Sequence, residues 1–525
     1  VPVTELSAAK GVPRSNLYYW QSRKKQIDAP EAVRDFFESA VGLEVLHWIY
    51  TAAMFAFVQR RGCGVDAVGE FLQLSRLDRF AAASHGSVYQ QSGAMEREIV
   101  RYGRQERDRL ASQMAPKRIT VCEDETFHPR TCLVGIEAAS GYILVEEYSE
   151  ARDAKTWGEA LRRAMEGMAA EVAAICSDEA KGLISHAHQV LGVPHCAELF
   201  HAQHEVSKAT ARPLAQRLSA PRKAVEEAER RTQRLREQKA AYLAGPRPPG
   251  RPPLFDRYIA AAEANEQAAR DRLAAVEADR EAVRAANREL SDAYHLVDLS
   301  TGQRQDDAAV ETRMHAAFAT IDEVAQCVGL SPKRLGWIDK ARRLIPKFRS
   351  HVAFANDQLD RALEELTLAP RVLRAVNEQL VGGLYLMRAA ARARSTEERK
   401  RLRSLAQDLL DAAHDSAGAL AGLDVATREH IESTVNACLD LFVRSTACVE
   451  GRNGQLALRH HSLHRLSDQR LAAMTVIHNF HAQRADRSTA AERFFGQAPE
   501  PLFEWLVANL DPPPRPRSSR YRRAA

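Results

Sequence analysis

No two cysteines in this chain are spaced as CxxC, although eight are scattered along its 525 residues. The spacing therefore offers neither a zinc-ribbon pattern nor a thioredoxin-type redox motif. Several of the cysteines fall inside predicted strands, where Cys behaves as a small buried hydrophobe. A signal-peptide pattern is also missing, so a reducing cytoplasm is the expected compartment. Aromatic residues are sparse, at 6%, against an ordinary apolar fraction of 45%. Long apolar runs are absent too. The most apolar helical stretch, Val41 to Val58, contains Glu44 and His47 and is barely long enough to span a bilayer. It reads as a core helix, and no membrane partner is expected. Strong charge of one sign is the last absence. At a formal +5, any case for nucleic acid rests on where the basic residues sit.

What is present is helix-forming sequence in a chain too long for one hydrophobic core, so two to four domains are expected. Alanine and arginine are abundant, which favours helix. Residues 1–30 read as part of a helix-turn-helix. Thr4 is placed to cap a first helix, Gly11 to make the turn, and Pro13 and Ser15 to start a second helix. Its exposed face would offer Asn16, Tyr19, Gln21, Arg23 and Lys24 to phosphates and base edges; an ordinary helical hairpin is the alternative. Residues 31–115 continue as helices. Within them, GVDAVGEFLQLSRLDRFAAASHGSVYQQ has a second helix-turn-helix character, with DNA binding and simple packing both open.

From residue 116 the hydrophobic period changes. RITVCEDETF, TCLVGIEAAS and GYILVEEYSE are apolar, β-branched runs separated by breaks short enough for an antiparallel meander. A helix over 154–170, the buried strand VAAICSDEA, a helix through Val190 and a short strand at Val193–Glu198 follow. The first strand is read as Ile119–Cys122, delivering Glu123, Asp124 and Glu125 at its end, and Asp178 ends the strand AAICSD. Carboxylates at the ends of neighbouring strands can share a divalent cation, because the ion offsets their repulsion. In a regular strand Glu123 and Glu125 face away from Asp124 and are expected to be solvated. Glu179 competes weakly with Asp178. Lys181 either reaches phosphate or pairs with an acid.

Residues 205–445 read as almost wholly helical. Pro221–Ala244 and Arg257–Tyr294 form a hairpin, with Pro221 suited to a first turn. The joining segment GPRPPGRPP excludes helix and reads as a stiff hinge whose Arg247 and Arg251 could also follow a phosphate backbone. LSPKRLGWIDKARRLIPKFRS is either a DNA contact or a solvated helix face. The region 446–496 is helical, and 497–525 holds one short apolar helix and a Pro/Arg tail expected to be disordered.

The motifs CEDETF, CSDEAKGL, HCAELFHAQHEV and the block from VEGRNGQLALRHHSLHRLS through VIHNFHAQR to TAAERFFGQ resemble those of DDE-type bacterial insertion-sequence transposases. The resemblance covers some 180 residues. It implies an α/β RNase H-like core (a mixed sheet with flanking helices) split by an all-α insertion, the whole mostly helical. It also implies two Mg²⁺ ions, replaceable by Mn²⁺, held by Asp124, Asp178 and Glu450. Glu450, preferred over Glu432 or Asp440, follows from the motif and its helical context. Families with Tyr, Arg and Lys at fixed offsets around the glutamate are not matched, since Thr446 stands four residues before Glu450. The implied activity is DNA cleavage and strand transfer on double-stranded DNA (terminal inverted repeats and target), by a homodimer or higher oligomer in the cytoplasm, on the nucleoid. The hairpin is a plausible dimer surface.

On the Glu450 helix, Asn453, Gly454 and His461 share the acid's face. Arg452, Arg459, His460, His464 and Arg465 add positive charge, or the capacity for it, so Arg452, Asn453, Arg459, His461 and Arg465 are candidate DNA contacts beside Lys181. A rival chemistry is zinc on His195, Cys196, His201 and His204, whose spacing is not that of a recognised finger. Two rival functions stand beside the transposase: a domesticated, non-catalytic DNA-binding regulator, and another RNase H-like nuclease.

Overall fold

The structure, a computed structural model, describes residues 2–25, 27–127, 129–246, 249–415, 418–463 and 466–516. It is mostly helical, with one small mixed sheet of five strands in the order β3-β2-β1-β4-β5. The strands are β1 (Lys117–Phe127), β2 (Thr131–Glu137), β3 (Ile143–Ser149), β4 (Ala170–Ser177) and β5 (His195–Ala197). The chain divides into two compact units. The first comprises Val1–Val172, Lys181–Leu191 and Thr446–Ala525, and the second comprises Ala173–Ala180 and Gly192–Ser445.

In the first unit, helices Val3–Lys10 and Arg14–Lys25 flank Gly11, whose φ of +63° is the left-handed conformation glycine adopts without strain. Thr4 is not the cap expected of it. The helix begins two residues earlier, at Val3 behind Pro2, and no side chain caps it. Ala40–Ala53 continues through a π-helical segment, Met54–Arg60. This is the single helix among the described residues long and apolar enough to cross a membrane, and half of its apolar window is buried inside the fold. His47 Nε2 lies 2.9 Å from the Val507 carbonyl, and the Trp48 and Phe503 rings are 5.5 Å apart. Asp66–Leu74 buries Val68 and Leu72, and the long helix His85–Ala111 buries Val88, Met95 and Ile99.

The antiparallel meander forms as its turn spacing predicts, but β1 is longer than expected. It stays paired with β2 from Val121↔Glu137 to Phe127↔Thr131, so Asp124, opposite Val134, lies inside the strand rather than at its end. The pairing continues because a short break returns the chain at once and sets Gly135, Val134 and Leu133 opposite the three acidic residues. The helix Ala154–Met165 stops short of residue 170: Gly167 at φ +77° turns the chain, and β4 starts at Ala170. Cys122, Cys132, Cys176 and Cys196 are buried strand residues, as small hydrophobes should be.

The second unit holds a core of Tyr294, Phe348, Val352, Leu359, Leu386 and Phe442, among others, from helices and helix ends between residues 199 and 442. Its hairpin pairs Ser219–Ala244 with Phe255–Ala293. Pro221 sits at the third helical position, still in the first turn, where its missing N–H has no partner to lose. Ion pairs Arg236–Glu263 (2.7 Å) and Arg270–Glu229 (2.9 Å) cross the hairpin.

The C-terminal part of the first unit contains helices Ala447–Leu463, Asp468–Phe480, Ala490–Phe495 and Leu502–Asn509. The start of the tail is docked, contrary to expectation. The Ala82 N–H donates to the Pro514 carbonyl (2.7 Å), and Arg515 pairs with Glu38 at 2.5 Å. Residues 517–525 lie outside the described residues.

Candidate functional site

The first unit brings Asp124 and the Glu450 helix (Ala447–Leu463) together. Asp124, half-buried in β1, accepts the Glu125 N–H on Oδ1 (2.8 Å) and the Asn453 side-chain N–H on Oδ2 (2.8 Å). Asn453 lies one turn after Glu450 on the same helix face. Glu450 itself is exposed in the helix's first turn, where unpaired N–H groups favour negative charge. Asp124 and Glu450 carry carboxylate oxygens, the donor type a hard divalent cation takes. Among the described residues no group of three or more His, Cys, Asp or Glu side chains is gathered to hold a metal ion.

The two acids beside Asp124 are not the solvated groups expected. Glu123 is fully buried against His186, with Oε2 3.0 Å from Nδ1, and burial pushes its carboxyl above the usual range while His186 opposes the shift. Glu125 accepts from Arg152 (3.0 Å) and the Trp157 indole (3.4 Å). The face of β1 that carries Glu123 and Glu125 is covered by His186 and Trp157, so both carboxylates take partners there.

Arg452 is a correction. It is 5% exposed and clamps Glu146 of β3 through two bonds of 2.7 and 2.6 Å, with Thr475 donating to the same carboxylate. It joins helix to sheet, its charge taken up by Glu146. Asn453 is likewise engaged with Asp124, although its buried Oδ1 has no hydrogen-bond partner. Arg459 donates to the Arg60 carbonyl, and His460 Nε2 lies 3.0 Å from the Tyr148 hydroxyl. His461, Lys181, Asn16, Tyr19 and Gln21 are exposed. The side chains of Arg23, Lys24, His464 and Arg465, and Arg247 as a whole, lie outside the described residues.

In the second unit Asp178 follows β4 directly and caps its own turn, accepting the Ala180 N–H at 2.9 Å. It lines a cleft of about 520 Å³ with Glu179, His201, Glu205, Lys340 and Lys347. Lys347 pairs with Glu179, and Lys340 with Glu205 at 2.9 Å. Other cations of the 330–350 stretch are also used within the unit: Arg342 on Asp322, Arg349 on Asp307 and Glu311. The zinc cluster does not form among the described residues. His195 Nε2 lies 2.8 Å from Ser177 Oγ, His201 pairs with Glu198 at 3.2 Å, the His204 ring packs beside Phe200, and Cys196 is a buried thiol held above its usual range by burial.

Sequence reading missed a group of arginines in the first unit, Arg60, Arg61, Arg484 and Arg493, which line one cavity. The RRG run closing the apolar helix and the arginine ending VIHNFHAQR were its only signals.

Residues 376–522 match a family of unknown function, DUF6399. No curated protein matches the chain.

Proposed function

We propose that this protein is a DDE-type DNA transposase with an RNase H-like core, which binds the ends of its element and performs metal-dependent DNA cleavage and strand transfer. The observation that carries this reading is the bond from Asn453 to Asp124, which sets the Glu450 helix across the acidic strand. The order of the five strands supports the same reading. Asp124 and Glu450 would hold the divalent cations. Asp178 enters as the third carboxylate on its motif, CSDEAKGL. Bound Mg²⁺ would supply charge stabilisation at the attacking and leaving oxygens of a phosphodiester. The chain's own part is to orient Asp124 through Asn453 and to fix the Glu450 helix on β3 through the Arg452–Glu146 pair. The helix pair Val3–Lys10 and Arg14–Lys25, with Asn16, Tyr19 and Gln21 exposed, would read the element's ends.

The test is incubation of the full chain with DNA bearing the element's own ends, with Mg²⁺ or with a chelator. Cleavage and joining only with the cation support the reading. Tight binding with no cleavage under Mg²⁺ or Mn²⁺ would favour a DNA-binding regulator instead.

A further inference from the structure

The Glu450 helix has a second working face. At about 100° per residue, Cys448, Arg452, Gln455 and Arg459 project opposite to Glu450, Asn453 and His461. That second set lines a cavity of about 810 Å³ contained within the first unit. Six arginines line it, Arg60, Arg61, Arg452, Arg459, Arg484 and Arg493, and no Asp or Glu is among the lining residues. Glu146 offsets the charge of Arg452 alone. Arg484 donates to the Ser140 carbonyl (3.1 Å) and Arg493 to the carbonyls of Ser140 (2.7 Å) and Ser488 (2.8 Å). Carbonyls orient a guanidinium without cancelling its charge. The local field is correspondingly positive. Burial and then Arg452 hold His478 below the ordinary histidine range, and burial, Arg470 and Arg452 lower Arg459.

The rest of the wall is apolar: Ile136, Met474, Ile477 and Leu458. A neighbouring cavity of about 910 Å³ shares Arg60, Gln483 and Arg484 and adds Phe55, His481 and Phe503, together with Glu492, Glu500 and Glu504. The Phe55 ring lies 4.9 Å from His481 and 5.8 Å from Phe503. Guanidiniums with no acid in the same cavity wall suit phosphate, whose oxygens match their forked donors. Apolar and aromatic wall suits a flat ring system. A single inorganic anion would leave that wall and most of the volume unused.

We infer that this chamber binds a nucleotide, with its phosphates on Arg60, Arg61 and Arg484 and its base against the apolar and aromatic wall. The nucleotide is either free or an unpaired unit of a nucleic-acid strand; the two share this chemistry. The inference stands apart from the metal reading, because it uses the opposite face of the helix.

The experiment uses the full chain and fluorescence anisotropy with two probes, a fluorescent ATP analogue and a labelled oligothymidylate of about ten nucleotides, each across a salt series. The variants are Arg60→Ala/Arg61→Ala, with Arg403→Ala in the second unit as control. Arg60 and Arg61 are exposed, so the double variant should keep the wild-type thermal midpoint. The expected result is a loss of about tenfold or more in affinity and, for the oligonucleotide, a salt slope smaller by about 1.4 for two phosphates no longer neutralised. Arg403→Ala should leave both unchanged. Loss on the ATP probe identifies a free nucleotide, and loss on the oligonucleotide alone identifies a strand. If wild type binds neither probe, or if the double variant binds both with unaltered affinity and slope, the inference is overturned.

Discussion

Asp124 is a carboxylate held by the Glu125 N–H on one oxygen and by the Asn453 amide on the other. Removing that amide in Asn453→Ala frees the side chain to rotate without breaking the strand. The expected cost to stability is about 1 kcal/mol, one ordinary hydrogen bond. The expected cost to metal affinity or cleavage is larger, on the order of 10- to 100-fold, as for other groups that orient a metal ligand. Urea melts and a Mn²⁺ titration of the same preparation separate the two effects. Asn453 was legible in sequence as a face-mate of Glu450, but its partner was not, because spacing along a helix says nothing about what lies opposite. Glu123 and Glu125 show the same limit. Alternation put them on the far face of the strand, and only the packed structure puts His186 and Trp157 there.

The helix is the scale at which Arg452 and Glu450 part company, two residues apart and nearly opposite in role. The Arg452–Glu146 pair is buried on both sides, with 5% and 0% side-chain exposure. Arg452→Ala strands a carboxylate in the core, so a loss of about 3–5 kcal/mol is expected, seen as a lowered denaturation midpoint. A DNA contact would instead have changed affinity and spared the melt. The strands and helices around this element were readable because turn residues and period mark them: the meander, β4 and β5 all stand close to where the pattern put them. Element ends were less readable. The β1 strand runs on through three acidic residues because β2 pairs with them, and composition alone argued that the strand should stop.

At the level of the whole molecule, the second unit's core buries His351 beside Tyr294, with Nδ1 2.6 Å from the hydroxyl. Burial lowers its pKa to about 3, against an ordinary 6.5. In the unfolded chain the ring takes a proton as pH falls below about 6.5, whereas in the folded chain it resists protonation down to about 3. Stability is therefore full above that window and is lost as pH falls through it. His351→Phe should lose less stability between pH 7 and 4 than wild type, measured by urea denaturation at each pH. The hairpin gives a second expectation. The segment 249–254 joins two long helices without regular structure, and Arg251 is exposed. Arg251 precedes Pro252 and so resists trypsin; chymotrypsin should nick there first, after the exposed Leu254, and the two helices should stay associated, held by their packed faces and ion pairs.

The central claim is that Asp124 and Glu450 belong to one cation-dependent site on the first unit. It is tested most directly by assaying wild type, Asp124→Asn and Glu450→Gln for Mg²⁺-dependent cleavage of end-bearing DNA, with binding measured in parallel. Both variants should bind the DNA as tightly as wild type and cut it at least about 100-fold more slowly. Cleavage by Glu450→Gln at the wild-type rate would contradict it.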